Sequence, residues 1–458
     1  MAPATEWLRE HLARRIWRVG ETPAHVAEVH VWQRRQSWGG TTALYTVAFT
    51  GCDDTSVEQL YIGYEFPPAV LDAEYRSAVS NATIAPALGR AVTLIPEAHL
   101  LLVAFPNDRR MRALDEESLR AAVDRLATVL ANNRGHRGPA WRVKEANVDI
   151  LRYVPGQRLT LRCRGGFVAD SGMEQPFTFI AKQYRERKVA QRLHRDISAL
   201  YKYVSRSHGA WLPRPMAFDA ETGLVVMEDL PGKDLMAALG EVDLSKTMWA
   251  VGQMLVALHQ APHVVRRSLS VPETLEEVRH AVEKIESLLP IGLARRAMSL
   301  IWRLAARRRD VDADDAPKVL LHGAFRPKHV FVHDGRLAMI DMDGMGVGHP
   351  AHDLGHFLSA LYYLEAQEML NAADRSVAVG HFLQGYAAAA PWRLQPAAVL
   401  WCTAASLVHK QVRKYVVHLH EDRADKVERV LALAEKALAA CDGLRSGAPL
   451  DLVRSVLC

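Results

Sequence analysis

The sequence predicts an α+β fold in two lobes, a small β-rich lobe followed by a large helical lobe, behind an extra N-terminal α+β unit. Three observations predict it. Alternating apolar residues between turn signals recur in 26–70 and again in 140–230. From 233 to 458 the apolar positions fall at helical spacing. Short strand-like runs at Lys318–His322, Val330–His333 and Leu337–Ile340 interrupt the helices, with Asp334-Gly335 as a hairpin turn.

In chain order, residues 1–25 predict a helix, with Trp7, Leu8, His11, Leu12 and Ile16 at helical spacing. Strands are expected at Val29–Trp32, Thr42–Phe49, Gln59–Tyr64 and Leu100–Phe105, and a helix from Glu116 to Asn132. Asn133–Pro139 reads as a linker, so 1–136 forms the N-terminal unit. The second unit, 137–232, carries strands at Val148–Val154, Arg158–Arg164 and Phe177–Tyr184. A long loop is expected from Gly165 to Pro176, a helix from Val189 to Ser205, and a strand from Leu224. The third, 233–458, holds helices near 245–260, 273–288, 291–309, 353–372, 374–389, 396–420 and 422–443. The first two units share paired strands, a helix and an apolar strand (Leu100–Ala104 and Leu224–Met227), which suggests that 1–136 is a degenerate copy of the small lobe.

The 458 residues are 49% hydrophobic and 24% charged, which excludes wholesale disorder. No apolar run is long enough for a membrane span, and the N-terminus lacks the pattern of a secretory signal. The net charge of +5 is mild for this length and calls for neither a nucleic-acid partner nor a membrane. Five scattered cysteines without C-x-x-C spacing argue against a disulfide framework and for a reducing cytoplasm. The Ala- and Arg-rich usage suggests a GC-rich bacterial genome.

The informative stretch is Leu320-Leu321-His322-Gly323-Ala324-Phe325-Arg326-Pro327-Lys328-His329, followed by Met339-Ile340-Asp341-Met342-Asp343-Gly344. It resembles the catalytic and metal loops of the aminoglycoside phosphotransferase and choline kinase family, within the protein-kinase-like superfamily. There a His-Gly-Asp-x-x-x-x-Asn loop precedes a hairpin and an Ile-Asp motif. Gly348-His349-Pro350-Ala351-His352-Asp353-Leu354-Gly355 resembles the family's Gly-Asp-Pro-x-x-Asp-Leu-Ala segment. Upstream, Ile180-Ala181-Lys182 fits the nucleotide lysine, and Val226–Gly232 fits the hinge, with Met227, Glu228 and Leu230 toward the nucleotide. Leu258-His259-Gln260-Ala261 fits a helix end before an insertion. Pro155-Gly156 stands where the superfamily lays a turn over the phosphates. The resemblance covers residues 140–420.

What it implies is a kinase-like fold that transfers phosphate from ATP, with Mg2+ or Mn2+, to a small-molecule hydroxyl. Phosphoryl transfer is mostly positioning and charge neutralisation. The resemblance gives Lys182 the α/β-phosphates, Asp341 the metal, and Asp343 either a second ligand site or a turn cap. His322 and Asp353 brace the loop, and Arg326 stands where protein kinases place a lysine against the transferring phosphate. Asp196 is either a partner for Lys182 or a solvated helix acid. The pattern is broken at two positions. Ala324 replaces the proton-accepting Asp, and His329 replaces the metal-binding Asn, a substitution that suits manganese or zinc better than magnesium. The alternative reading is therefore a pseudokinase, a nucleotide-binding or regulatory module with a protein partner; nucleotidyl transfer is a weaker one. The layout is also similar to bacterial maltokinases, whose loop keeps the Asp, so their substrate is not implied here.

Two further groups stand out. His349, His352 and His356 are read as a helix start with histidines on its outer face. His409, Lys410, Arg413, Lys414 and His418 form a basic face that meets either an anionic partner or solvent.

Overall fold

The structure is a computed structural model that describes residues 5–18, 24–37, 40–50, 56–86, 88–112, 115–132, 141–204, 212–312, 315–417, 423–444 and 448–458. The expected linker at 133–139, Cys52 and His418 lie outside the described residues. The chain divides into two compact units, one of residues 1–194, 215–229 and 417–419, the other of 195–214, 230–416 and 420–458.

The first unit holds two five-stranded sheets. Helix α1 (Thr5–Arg15) precedes strands β1 (His25–Ser37), β2 (Gly40–Thr50) and β3 (Ser56–Glu65), then helix α2 (Pro68–Asn81) and strands β4 (Val92–Ile95) and β5 (Leu100–Ala104). Helix α3 (Glu116–Asn132) leads into β6 (Trp141–Val154), β7 (Arg158–Ala169) and β8 (Glu174–Tyr184). Helix α4 (Arg187–Val204), which runs on into the second unit, precedes β9 (Pro215–Asp219) and β10 (Leu224–Glu228). The strand orders are β1-β2-β3-β5-β4 and β6-β7-β8-β10-β9, the same order twice, with a helix after the third strand each time.

Helix α3 starts where Asp115 accepts the Ser118 amide at 2.8 Å, an N-cap. Leu119, Val123, Leu126 and Leu130 then fall on one face and pack with Leu44 and Ile62 of the first sheet and Leu159, Leu161, Phe177, Phe179 and Ala181 of the second. Arg125 ties the same helix to Asp219, Nη2 to Oδ2 at 2.9 Å. On the other side of the first sheet, Leu8, Leu12 and Ile16 pack against Tyr45, Val47, Phe49 and Tyr61.

One expectation for this unit is corrected. The stretch from Gly165 to Pro176 is not a long loop. Strand β7 runs through it to Ala169, pairing Gly165 with Phe177 and Gly166 with Pro176. A Cβ on Gly165 would sit 2.0 Å from the Glu145 carbonyl oxygen and 2.8 Å from the Phe177 ring. The glycine therefore allows close strand packing and does not break the strand. The sequence reading also passed over α2, β4 and β9, which are short or weakly patterned.

The second unit is helical. It contains β11 (Lys233–Asp234), α5 (Leu235–Ala238), α6 (Leu244–His259), β12 (Ser268–Leu269), α7 (Val271–Glu283), α8 (Ile291–Ala306) and α9 (Arg309–Asp312). Strands β13 (Val319–Leu321), β14 (Val330–His333), β15 (Arg336–Met339) and β16 (Gly346–Gly348) follow. Helices α10 (Ala351–Ala366), α11 (Ala372–Ala389), α12 (Pro396–Ser406), α13 (Arg413–Val417), α14 (Arg423–Ala440) and α15 (Asp451–Leu457) complete it. A capping box of Ser270 and Glu273 starts α7. The β14–β15 turn has positive φ at both Asp334 (46°) and Gly335 (72°), the geometry an Asp-Gly hairpin favours. The single helix expected over 396–420 is corrected: a π-helical turn, Leu407–Val412, separates α12 from α13. The helix expected over 353–372 ends at Ala366. Phe357 stacks on Phe382 at 4.3 Å in the core of this unit. Among the described residues, no helix is long and apolar enough to cross a membrane.

Candidate active site

The loop after β13 is held by one carboxylate. Asp353, fully buried in the first turn of α10, accepts the His322 amide at 2.7 Å and the Gly323 amide at 2.9 Å. His259, at the end of α6, meets the same carboxylate through Nε2 at 3.3 Å. His259 Nδ1 lies 2.9 Å from the Tyr386 hydroxyl, to which Trp392 Nε1 donates at 3.2 Å. This chain of donors assigns the tautomer: Tyr386 donates to Nδ1, and Nε2–H donates to Asp353. Burial alone would raise the Asp353 pKa, but the His259 and His352 hydrogen bonds outweigh it and hold the carboxyl well below the usual range. Burial lowers the His259 pKa, so the ring is neutral. Asp353 thus holds the backbone of the loop after β13.

The second loop is locked to the first. His322 Nε2 donates to the Ile340 carbonyl at 2.9 Å, and the Ile340 amide donates to the His329 carbonyl at 2.9 Å. Gly323 has φ +74°, and a Cβ there would lie 2.0 Å from the Gly344 oxygen. Only glycine serves at that crossing. Asp341 adopts a left-handed conformation, φ 62° and ψ 49°, which is strained for a non-glycine residue and directs its carboxylate toward His329. His329 is buried and stacks on His322, centroids 5.3 Å apart. Its Nε2 lies 3.3 Å from Asp341 Oδ2 and accepts from Arg326 Nε at 2.9 Å. Ala324 and Asp343 are half-buried on the two loops. The structure therefore brings His322, Ala324, Arg326, His329, Asp341, Asp343 and Asp353 together in the second unit.

Two adjacent ligands on one ion, each at about 2.0–2.2 Å, stand about 3 Å apart. The 3.3 Å between His329 Nε2 and Asp341 Oδ2 fits that spacing. The nitrogen–oxygen donor pair suits a manganese- or zinc-type ion better than magnesium.

The candidate nucleotide residues of the first unit sit on the second sheet. Lys182 is buried on β8, in register between Thr160 and Val225. The strand alternation puts it on the face opposite Phe177, Phe179 and Ala181. Met227 and Glu228 pair with Ile180 and Phe179. Leu230, in the second unit, is buried. Gly156 turns between β6 and β7 with φ +69°, and its amide donates to Asp108 Oδ2 at 2.7 Å. Tyr153 donates its hydroxyl to the same oxygen, and Arg110 packs over the glycine. Asp196 is buried rather than solvated, and it accepts from Arg195 Nη2 at 2.8 Å.

Sequence reasoning missed Asp108 and the Tyr386–Trp392 end of the His259 chain. No local pattern announces contacts between residues so far apart in sequence. It also misplaced two histidines. His352 and His356 are buried on α10, not on an outer face, because this helix is covered nearly all round.

The fold and the paired loops fit the resemblance to protein-kinase-like phosphotransferases. Residues 167–392 match the profile of the phosphotransferase enzyme family. Solved structures similar to the chain include a choline/ethanolamine kinase family protein from Mesorhizobium loti (14% identity, 73% of this chain and 99% of that one, TM-score 0.42). Others are amicoumacin kinase in complex with AMP-PNP, Ca2+ and Ami (16%, 70% and 96%, 0.44) and an aminoglycoside phosphotransferase from Streptomyces rimosus (17%, 62% and 96%, 0.38). No curated protein matches the chain.

Proposed function

We propose that the protein transfers the γ-phosphoryl group of ATP to the hydroxyl of a small molecule, with a catalytic loop that lacks the usual base. The observation that carries this reading is the built loop pair: Asp353 clamps the first loop, and Arg326 of that loop and Asp341 of the second converge on His329. A chain that had lost all use for this site has no reason to keep Asp341 in a strained conformation.

In the proposed reaction the acceptor oxygen forms a bond to the γ-phosphorus, the bond to the ADP oxygen breaks, and the hydroxyl proton is released. Lys182 holds phosphate oxygens, and Arg326 stabilises charge on the transferring group. A divalent ion on Asp341 and His329 would supply charge neutralisation; to take it, His329 gives up its hydrogen bond from Arg326. Ala324 has no acid–base capacity, so Asp343, on the adjoining loop, is the carboxylate proposed to receive the proton. Gly156 and the stretch from Met227 to Leu230 line the nucleotide in this reading. The N-terminal unit is proposed as a second, degenerate copy of the small lobe, which the repeated strand order supports.

Ala324 favours a second reading, a nucleotide-binding module without efficient transfer. One series separates the two. Melting shifts with ATP alone, with Mg2+ and with Mn2+ are measured alongside turnover of ATP for the wild type, Asp341→Ala and Ala324→Asp. The enzyme reading expects turnover lost in Asp341→Ala and raised by about 10²–10⁴-fold in Ala324→Asp, the usual worth of a general base. Metal-dependent binding without turnover in either wild type or Ala324→Asp establishes the module instead.

A further inference from the structure

The catalytic loop has a basic neighbour that the proposed chemistry does not use. The π turn at 407–412 presents His409 and Lys410, and it packs against α7 and α10. It is fixed to α10 by Gln411 Nε2 donating to Ser359 Oγ at 3.2 Å, and by Ser359 with Ser406 at 2.7 Å. Such turns insert one extra residue into a helix and occur often at functional sites. On α10, the rings of His352 and His356 lie 4.3 Å apart. Both side chains are more than nine-tenths buried; His352 Nδ1 lies 3.9 Å from Asp353 Oδ1, and the Nδ1 of His356 has no hydrogen-bond partner among the described residues. A buried polar atom without a partner is costly, so His356 Nδ1 marks a place where a ligand is wanted.

Most of the charges around these groups are positive. Lys410 makes no ion pair or hydrogen bond among the described residues, and Arg413, Arg267 and Arg326 each repel it. Burial lowers its pKa most; Glu277 opposes this, the three arginines add to it, and the net result is about 8. The carboxylate facing the group is Glu277, shared by Arg267 at 3.3 Å and His409 Nδ1 at 3.6 Å. Asp353 is already committed to His259 and two amides. Arg267 also donates to the Gly344 carbonyl at 3.3 Å, which links the cluster to the metal loop. His352, Asp353 and His356 have the spacing of a metal group. The commitment of Asp353 and the surrounding cations disfavour a second metal ion there and favour an anion.

We propose that His352, His356, His409, Lys410 and Arg267, with Arg326, form a subsite for an anionic group, phosphoryl or carboxylate, borne by the hydroxyl acceptor. This rests on the phosphotransferase reading. It names the acceptor as a small acid and disfavours amino-sugars and quaternary amines, which this field repels.

The test is calorimetric titration of inorganic phosphate, and separately of malonate, into the full chain without nucleotide. Wild type, Lys410→Gln, Arg267→Gln and Lys182→Ala are compared, and the melting temperature of each is taken without ligand. The expected result is one site weakened about tenfold by Lys410→Gln and by Arg267→Gln, and unchanged by Lys182→Ala. Arg267 is exposed, so its variant keeps the test alive if Lys410→Gln misfolds. Binding unaffected by both variants, or lost in Lys182→Ala alone, overturns the subsite. A parallel ATP melting shift on wild type separates the two ideas. Its absence, with the phosphate results as expected, refutes the phosphotransferase reading and leaves the anion site standing.

Discussion

The two sheets of the first unit have one strand order and two different fates. In the first, α1 covers one face with Leu8, Leu12 and Ile16, and α2 and α3 pack on the other. The Tyr45 ring lies over Gly63, where a Cβ would come within 2.4 Å of it. Strand β3, SVEQLYIGYE, carries no Lys or Arg. The second sheet keeps Lys182 at the matching end of its third strand, on the face away from the shared core. A common topology therefore does not confer a common site. One cation on the third strand distinguishes the two sheets.

The largest expected effect breaks the symmetry directly. Lys182→Ala should remove the ATP-dependent melting shift altogether, whereas Glu58→Ala on β3 should leave it intact; a shift that survives Lys182→Ala would take the nucleotide role from the second sheet. Next in size, Leu12→Ala should cost about 2–5 kcal/mol in a denaturant titration, because it empties a fully buried position, while the nucleotide response of the folded protein stays the same. A pair of glycines sharpens the contrast further. Gly63→Ala should cost about 1–3 kcal/mol by overpacking Tyr45, but Gly166→Ala, whose nearest neighbour would be 4.0 Å away, should change stability by under about 1 kcal/mol. Equal effects would show that the two sheets are packed alike.

The smallest effect concerns the ion pair that joins α3 to the second sheet. Burial pushes the Asp219 pKa up, but hydrogen bonds from Arg125 and Thr222 outweigh it, and the net shift is downward. A carboxylate with a depressed folded pKa stabilises above its unfolded value and loses that contribution as pH falls through the folded value. Stability should therefore fall below about pH 4 by about 1 kcal/mol from this pair, since Arg125 is partly exposed. Asp219→Asn should flatten that part of the pH–stability curve, and an unchanged slope would remove the pair from the account.

Much of this was legible in the sequence because the signals are local. Leu159, Leu161 and Cys163 alternate and lie on a strand; Asp334-Gly335 makes its hairpin; the Glu116–Asn132 helix has the predicted bounds. The loop residues of the candidate site also come together, since two short strands and a hairpin fix their spacing. What was illegible depends on distant partners. Gly165 looks like a loop residue until Glu145 and Phe177 are seen against it. The burial of His352 and His356 follows from the helices around α10, and a helix apolar on nearly every side offers no face to read. Asp108 needs the Gly156 turn to acquire meaning, and 48 residues separate them.

The π turn has one more consequence. It holds a surplus residue relative to an α-helix, and each residue of a helix turns the chain by about 100°. Residues 413–417 are thus out of phase with 396–406. Deleting one residue between Leu407 and Val412 would restore an unbroken helix, yet it would rotate either the upstream or the downstream segment away from its present neighbours. The helix is a spliced reading frame. Insertions and deletions in this stretch are tolerated only in registers that keep both Trp401, which donates to the Leu304 carbonyl, and Tyr415 inside the core.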